Sequence, residues 1–390
     1  MDPIEKHRGE MDDYMSAHAE LMGVIKGESQ EGIPTTWLNV MQHSYLERMA
    51  GTPEGSYAAD PEPVYIAAQK AAGVTLMDQF IPTNPLTIGD LGYEAKDKAA
   101  TATTGAERIV RDGMEIDSPE AAVGHMERFV FPSIEKAIED FDAERHVEGI
   151  LAWELSIQER IGPTMLKTGY GFVPFPSLMY YQYGYEHYFS AYALYPEVME
   201  RHFKLQADLC LMKNEAAALI YKEGLLPPLY RLDHDMADSR GTLVSMDSLE
   251  RIWFPHFARC IKPLVDTGLK LIWHCDGNLS EMAPRLIDAG VKGFQGFQYE
   301  DGMDYVEICK MKDKDGEGLF IWAGSSVTVT LPFGTRAQVR DELRFLVEHG
   351  PKTGLVLGAS SSIVPGVPWG NMEELLQGLA HYRMHGRKGL

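Results

Sequence analysis

The chain has 390 residues, of which 45% are hydrophobic and 24% are charged, and its formal net charge is -21. These fractions are typical of a soluble globular protein with enough apolar side chains for a sizeable core, so they exclude a disordered chain. The negative charge repels phosphate backbones and anionic lipid headgroups. We therefore expect neither nucleic acid nor a membrane as a partner.

The four cysteines are far apart in the sequence and form no CxxC pair: Cys210, Cys260, Cys275 and Cys309. This spacing argues against a disulfide framework and against a cysteine-only zinc site. The first residues lack the basic and then apolar layout of a signal peptide, and no apolar run approaches the roughly 18 residues of a membrane span. The sequence therefore predicts a soluble, cytoplasmic protein.

The amino-terminal part gives fewer signals. Residues 1–60 are first charged and helix-forming and then broken by glycine and proline, which predicts a helical arm packed on a single barrel domain of residues 61–390. Residues 73–80 (GVTLMDQF) predict a first strand with Asp78 near its end, and residues 148–155 (EGILAWEL) predict another. Between them, Ser118 followed by proline predicts a capped helix start.

Residues 170–195 are much richer in aromatic side chains than the chain average of 10%. Because a core cannot satisfy so many tyrosine hydroxyls, we expect some of them, among them Tyr180, Tyr183 and Tyr185, to line a cleft that holds a flat ligand. The alternative is a lid helix that packs on the barrel through its aromatic face.

The carboxyl half alternates apolar runs with polar ends and helical patterns. Five runs behave in this way, at residues 226–232, 271–273, 291–297, 319–322 and 354–357. This rhythm predicts a (β/α)8 TIM barrel, with the site at the carboxyl ends of the strands. Seven strands are predicted in total, so an open doubly wound sheet stays an alternative, although no GxGxxG follows any strand.

The most reactive stretch is LKLIWHCDGN, residues 269–278. A buried apolar run ending in Trp273 leads directly into His274, Cys275 and Asp276, which offer imidazole, thiol and carboxylate together. The preceding strand likewise ends in Asp233, His234 and Asp235. The alternative is a neutral histidine hydrogen-bonded in the core beside an aspartate in a turn.

Residues 225–382 resemble the uroporphyrinogen decarboxylase superfamily in the order and content of four segments. These are LDHDMADSRGTLVS, WHCDGNL, AGSSVTVTLPFGTRAQV and GASSSIVPGVPWGNM. The other branch of that superfamily contains the corrinoid-linked methyltransferases, which act on methanol, methylamines, thiols or methyl ethers. The resemblance implies a barrel and one of these two activities.

Two departures from the family decide between its branches. The decarboxylases place an arginine-rich RQAGR element near the amino terminus to hold a substrate with many carboxylates, whereas this chain reads WLNVMQHSYLERMAGT with Arg48 alone. Asp78 falls where the decarboxylases keep an aspartate, so that activity stays the alternative. The methyltransferases usually bind zinc through His-x-Cys and a distant cysteine, but here Asp276 replaces the cysteine of the pair and Ser361 stands at the distant position.

The loss of thiolate ligands changes the expected chemistry. Any metal, with zinc as the candidate, would be held weakly by His274, Asp276 and Cys275. Further oxygen donors would come from Asp235, Glu154 or Glu300. Such an oxygen and nitrogen site is suited to polarising an ether or hydroxyl oxygen. Without a metal, His274 or a carboxyl of Asp233 or Asp235 with a raised pKa would protonate the leaving oxygen. Asp78 completes the predicted catalytic residues.

We therefore predict a methyltransferase that moves a methyl group from an O-methyl donor, an aryl methyl ether, to the corrinoid (cobalamin) of a separate corrinoid-binding protein. The residues predicted to bind the small-molecule donor are Tyr180, Tyr183, Tyr185, His234, Trp273 and Ser361. A methylamine or thiol donor, a decarboxylase and a non-catalytic barrel stay open as alternatives. A homodimer is also left open.

Overall fold

The computed structural model describes residues 14–15, 18–28, 31–83, 108–296, 298–299 and 302–388. Glu300 and the first part of the predicted amino-terminal arm lie outside these described residues. The predicted boundary at residue 60 stays a prediction.

The strands are short and mostly buried. In chain order they are β1 (Leu76–Met77), β2 (Ile109–Arg111), β3 (Met114–Ile116), β4 (Leu166–Lys167), β5 (Leu229–Asp233), β6 (Ala237–Asp238), β7 (Gly241–Thr242), β8 (Lys270–His274), β9 (Gly293–Gln295), β10 (Phe320–Ser325) and β11 (Leu355–Ala359).

Helices lie between the consecutive parallel strands β1, β4, β5, β8, β9, β10 and β11. In chain order they are α1 (Ala19–Lys26), α2 (His43–Ala50), α3 (Ser56–Ala59), α4 (Pro61–Ala71), α5 (Pro119–His125), α6 (Phe131–Glu139), α7 (Ala143–Ile161), α8 (Tyr180–Tyr183), α9 (Tyr185–Leu194), α10 (Pro196–Lys222), α11 (Met246–Ile252), α12 (Phe254–Val265), α13 (Ala283–Ala289), α14 (Tyr305–Lys310), α15 (Thr330–Phe333), α16 (Arg336–His349) and α17 (Trp369–His385). A π-helical turn, Met126–Val130, joins α5 to α6. None of the helices in the described parts of the chain is both long and apolar enough to cross a bilayer.

The main sheet is parallel and has five strands in the order β11-β10-β9-β8-β5. A separate parallel pair is formed by β1 and β4. Single parallel bridges lie between the two sheets, joining Thr35 to Leu357, Thr36 to Leu76, and Gly169 to Tyr230. The fold is therefore α/β with a parallel sheet, and within the described residues the strand ladders stop short of one closed sheet.

The strands of the main sheet are buried on both faces, which explains their nearly continuous apolar sequences. Along β8, Leu271, Ile272 and Trp273 are fully buried. Because successive side chains of a strand point to opposite faces, Trp273 packs against α12 while His274 points to the other face. There it lies among the polar ends of the neighbouring strands.

The predicted elements of the carboxyl half are confirmed. Each of the five predicted apolar runs overlaps a strand of the main sheet, and the predicted helices of residues 336–349 and 371–385 correspond to α16 and α17. Ser118 caps α5 by accepting a hydrogen bond from the Ala121 amide at 3.1 Å. The predicted first strand is confirmed as β1.

The predicted strand at residues 148–155 is wrong, because this stretch lies inside α7. Its buried side chains recur every three or four residues, as at Ile150, Leu151, Glu154 and Leu155, and this is the spacing of a helix face. The strand that follows, β4, was not predicted. It has only two residues, too few for an alternating pattern.

Candidate active site

Four side chains from neighbouring strands form a row at the carboxyl ends of the main sheet. Asp233 pairs in register with His274, His274 with Gln295, and Gln295 with Trp322. Together they line a small cavity of about 90 Å³, whose other described lining residues are Trp37, Asn39, Gln79, Arg231, Ala359, Ser361 and Ser362. This cavity lies where parallel α/β folds place their active sites.

His274 lies between two carboxylates. Its Nε2 atom is 3.9 Å from Asp276 Oδ1 and 4.0 Å from Asp233 Oδ1, and the residue is 8% exposed. Its Nδ1 atom is buried and has no hydrogen-bond partner among the described residues. Gly296 packs against this side of the ring with φ +83°, and a Cβ there would lie 2.5 Å from Nδ1. Glycine at this position therefore lets the chain pass close to the imidazole.

A hydrogen bond joins Asp276 and Asp235, which follow the neighbouring strands β8 and β5. The Asp276 amide donates to Asp235 Oδ1 at 2.8 Å, and Ser361 Oγ donates to Asp276 Oδ2 at 3.2 Å. Burial raises the pKa of Asp276, the nearby carboxylates of Asp235 and Asp233 raise it further, and His274 and the Ser361 hydroxyl oppose them. Asp276 Oδ1 is buried without a hydrogen-bond partner among the described residues. Asp276 is thus the carboxyl of this site that is best placed to carry a proton.

Asp233 has the opposite character. Burial acts to raise its pKa, but His274, Arg231 and the Tyr170 hydroxyl together hold the pKa below its usual value. Arg231 Nη1 and the Tyr170 hydroxyl each donate to Asp233 Oδ2 at 2.8 Å. The expectation of a raised pKa at Asp233 is therefore wrong, because these donors stabilise the ionised form.

Arg231 lines the same cavity, and the sequence analysis missed it. Its guanidinium is buried and donates through Nε to Asp78 Oδ2 at 2.6 Å and through Nη2 to Gln79 Oε1 at 3.3 Å. It also lies over the Tyr170 ring, 4.9 Å from the centroid. A signal was present in the sequence, because Arg231 and Asp233 are two residues apart on one strand and therefore share a face.

The tyrosine-rich segment holds the end of β5 in place. The Tyr180 hydroxyl donates to the Asp235 carbonyl at 3.0 Å, and its ring stacks on that of His234 at 5.9 Å between centroids. His234 Nε2 accepts a hydrogen bond from the Leu178 amide at 2.9 Å. Burial lowers the pKa of His234 to about 4, so its imidazole is neutral at pH 7.

The remaining residues predicted to bind substrate lie at different depths. Tyr183 and Trp273 are fully buried, and the Tyr183 hydroxyl is 2.9 Å from His125 Nδ1. Tyr185 is 46% exposed and packs on Tyr180 at 4.8 Å between ring centroids. Of the six predicted substrate-binding residues, Ser361 alone is among the described residues that line the small cavity.

The possible metal ligands separate into two groups. Asp235, His274 and Asp276 each offer a ligand atom, and these atoms lie within 4.8 Å of one another. Cys275 is turned away, because its Sγ donates to the Asp276 carbonyl at 2.9 Å and accepts from the Met236 amide at 3.3 Å, while burial raises its pKa. Glu154 is paired with Lys167 at 2.5 Å.

This set of ligand atoms fits an oxygen and nitrogen metal site of modest affinity. The unpaired Asp276 Oδ1 faces the imidazole, and carboxylate and imidazole are ligands that zinc accepts. However, tightly bound metal sites orient a histidine through a hydrogen bond to its second nitrogen, and His274 Nδ1 has none within the described structure.

No protein-family model matches this chain, and no curated protein matches its sequence. Among solved structures, the chain is similar to a methyltransferase from Methanosarcina mazei, with a TM-score of 0.52 and 15% sequence identity. The match covers 94% of this chain and 98% of that chain. At this level of identity the likeness establishes that the two proteins share a fold over nearly their whole lengths.

Proposed function

We propose that this protein is a methyltransferase that takes a methyl group from an aryl methyl ether and passes it to cobalt(I) of a separate corrinoid protein. The observation that carries the proposal is the position of His274, whose Nε2 faces both Asp276 and Asp233 at a polar cavity. An imidazole held in this way can deliver a proton to a leaving oxygen. The shared fold with a methyltransferase is consistent with this proposal.

The proposed reaction needs a proton from this chain. The carbon–oxygen bond of the ether breaks, the electron pair of cobalt(I) forms the new carbon–cobalt bond, and cobalt(I) becomes cobalt(III). The phenolate oxygen that leaves takes up a proton from His274 or from Asp276, whose pKa burial raises. Asp233 remains ionised and stabilises the positive charge on the imidazole.

A metal ion held by Asp235, His274 and Asp276 is compatible with this proposal. It would supply Lewis acidity toward the ether oxygen. In either case Tyr180 and the Asp276 amide orient Asp235. We propose that such a metal dissociates readily and that Cys275 does not bind it. Mild chelation should therefore remove most of the metal. Cys275→Ala should leave the metal content measured by elemental analysis unchanged. Stoichiometric zinc that survives chelation and disappears in Cys275→Ala would contradict this.

The decarboxylase alternative is weaker for an electrostatic reason. A substrate with many carboxylates needs free arginines, and Arg231, which lines the cavity, is already paired with Asp78 and Asp233. Its charge is therefore largely neutralised before any substrate arrives.

We further propose that the strands close into a (β/α)8 barrel. The single bridges at Thr35, Thr36 and Gly169 support this proposal, because they lie between the two parallel sheets where closure requires contacts. The Thr36 amide donates to the Leu357 carbonyl at 2.8 Å and the Trp37 amide to the Leu76 carbonyl at 2.9 Å. We expect slow hydrogen exchange at both amides, and exchange as fast as in an open loop would contradict closure.

The test of function is direct. The protein is mixed with a reduced corrinoid protein and 2-methoxyphenol, and the cobalt(I) spectrum is followed as it converts to that of methylcobalt(III). Trimethylamine, quaternary methylamines and methylated thiols serve as alternative donors in the same assay. Decarboxylation of uroporphyrinogen, with no methyl transfer from any of these donors, would favour the decarboxylase instead.

A further inference from the structure

A second and larger cavity lies beside the site just described. Its volume is about 740 Å³, and α7 supplies much of its lining, with further residues that follow β1 and β4. It shares Gln79 with the small cavity, and Tyr170, which lines the larger cavity, donates its hydroxyl to Asp233 of the small one. The proposed reaction uses none of the residues that α7 contributes to this cavity.

A buried ion pair lines this cavity on its inner side. Lys167 Nζ donates to Glu154 Oε2 at 2.5 Å and to the Thr168 carbonyl at 2.6 Å, and both side chains are at most 2% exposed. Glu154 Oε1 is buried and makes no hydrogen bond of normal geometry with the described residues, although the backbone of Tyr170 is near enough to oppose the rise that burial causes in the carboxyl's pKa. Leaving a buried carboxylate oxygen without a donor is costly, so this atom is suited to accept a hydrogen bond from a ligand.

The walls of the cavity are mainly apolar and aromatic. They are formed by Phe80, Ile81, Phe141, Ile150, Trp153, Ile157 and Phe172. Trp153 is 56% exposed, an unusual position for the largest apolar side chain. A site with a few polar groups within aromatic walls is typical of a small-molecule pocket, and its volume lies in the range of such pockets.

We propose that this cavity binds a hydroxylated aromatic molecule, whose ring lies between the aromatic side chains and whose hydroxyl donates to Glu154. The acceptor on Glu154 selects for a hydrogen-bond donor, and the walls select for a flat apolar body. A phenol supplies both. Charged side chains of both signs also line the cavity, Asp140 and Asp142 as well as Arg145 and Lys213, so they set no preference for an acidic or a basic substituent.

This site goes beyond the proposed methyl transfer and does not depend on it. The test therefore measures binding alone, without corrinoid or turnover. The probes are 4-fluorophenol and fluorobenzene, followed by ¹⁹F line broadening during titration with the full-length protein. Because only 4-fluorophenol can donate a hydrogen bond to Glu154, it should bind about tenfold or more tightly than fluorobenzene.

Two glycines give a matched pair of variants. Gly149 lies on α7 and lines the cavity. Gly124 lies on α5 and is not among the described residues that line it. A Cβ added at either glycine would have no described atom of a neighbouring element within 4 Å. Gly149→Phe fills the cavity and should weaken 4-fluorophenol binding about tenfold or more, whereas Gly124→Phe should leave it unchanged. Both changes raise helix propensity, so both variants should fold.

Two further variants complete the test. Trp153→Ala removes an exposed wall residue without disturbing the core and should also weaken binding. His274→Ala should leave binding intact, which separates this cavity from the small one. Equal affinity for the two probes, tight binding that survives Gly149→Phe, or binding that is lost in His274→Ala would overturn the proposal.

Discussion

Two groups of charged side chains lie next to each other at the strand ends and differ in how fully they are hydrogen-bonded. The paired cluster consists of Arg231, Asp78, Asp233 and Gln79. Arg231 donates hydrogen bonds to the other three side chains. In the open cluster of Asp235, His274 and Asp276, His274 Nδ1 and Asp276 Oδ1 are buried without partners among the described residues.

This difference separates a scaffold from a reactive site. A buried ion pair with complete hydrogen bonds holds its geometry and offers nothing to a ligand, since every group already has a partner. A buried polar atom without a partner costs free energy in the free protein, and a substrate, metal or proton can relieve that cost. We therefore expect mutations in the open cluster to impair activity and those of Arg231 and Asp78 to impair stability.

The largest expected effect is on catalysis. His274→Ala should slow methyl transfer by about 100- to 10,000-fold, because a positioned general acid contributes that much to the rate. Asp235→Asn should also slow transfer, since Asp235 holds the Asp276 amide and offers a ligand atom to any metal. The measurement is the rate of methylcobalt(III) formation under saturating donor.

A matched histidine provides the control for this prediction. His256 lies on α12 and is not among the described residues that line either cavity. His256→Ala should therefore leave the rate of methyl transfer unchanged. A loss of less than about tenfold in His274→Ala would remove this residue from the proposed proton transfer.

The second effect is on stability. Arg231→Met should lower the free energy of unfolding by about 3–5 kcal/mol, because it leaves Asp78 as an uncompensated charge at 1% exposure. Urea denaturation measures it. Arg240→Met, which breaks an ion pair whose arginine is 88% exposed, should leave the unfolding midpoint nearly unchanged and serves as the control. Equal midpoints for the two variants would contradict a structural role for the paired cluster.

The open cluster was accessible from the sequence, whereas the paired cluster was only partly so. His274 and Asp276 follow an apolar run directly, and in a parallel sheet this pattern places them at the carboxyl ends of the strands. Asp78 and Asp233 were found in the same way. Arg231 was missed because it lies inside a strand and not at its end. Its partner Asp78 directly follows β1, more than 150 residues earlier, and pairing over that distance leaves no local pattern.

The amino-terminal half of the fold was harder to predict for a related reason. The strands β1 and β4 have two residues each, and Thr35 and Thr36 join the sheet through single bridges. Such short elements are determined by their neighbours and not by their own sequence. The carboxyl half has strands of up to six residues, long enough for the apolar pattern to be recognised.

The third effect is a loss of stability in acid. Burial lowers the pKa of His202 and of His234 to about 4 each, so the folded protein keeps both neutral where the unfolded chain would protonate them. The stabilisation is complete above the unfolded pKa of about 6.5 and is lost as the pH falls toward 4. Between pH 7 and 5, each histidine should account for about 2 kcal/mol of the fall in unfolding free energy.

The two histidines can be tested separately. His202→Gln, on α10 and remote from both clusters, should reduce the acid sensitivity measured by urea denaturation at the two pH values without changing methyl transfer. His234→Gln should reduce the acid sensitivity and also slow transfer, because His234 and Tyr180 together hold the end of β5. If the acid sensitivity persists in both variants, other groups must be its source.

The smallest expected effect concerns the hydrogen bond between Ser361 and Asp276. Ser361 Oγ donates to Asp276 Oδ2 at 3.2 Å and thereby opposes the rise in the pKa of Asp276 that burial causes. Ser361→Ala removes this donor, at a cost of about 1 kcal/mol, which is about fivefold in rate. It should also raise the pKa of Asp276 further. If Asp276 supplies the proton, the decline in methyl-transfer rate at high pH should move to higher pH in Ser361→Ala, because the protonated carboxyl persists longer. A purely structural role for Ser361 would lower the rate equally at every pH.

Ser362→Ala is the matched control. Ser362 lines the same cavity but accepts its hydrogen bond from Asn39 at 2.8 Å, so Ser362→Ala should leave the pH profile of methyl transfer unchanged. An unchanged profile in Ser361→Ala would assign the proton to His274 and restrict Asp276 to positioning or metal binding.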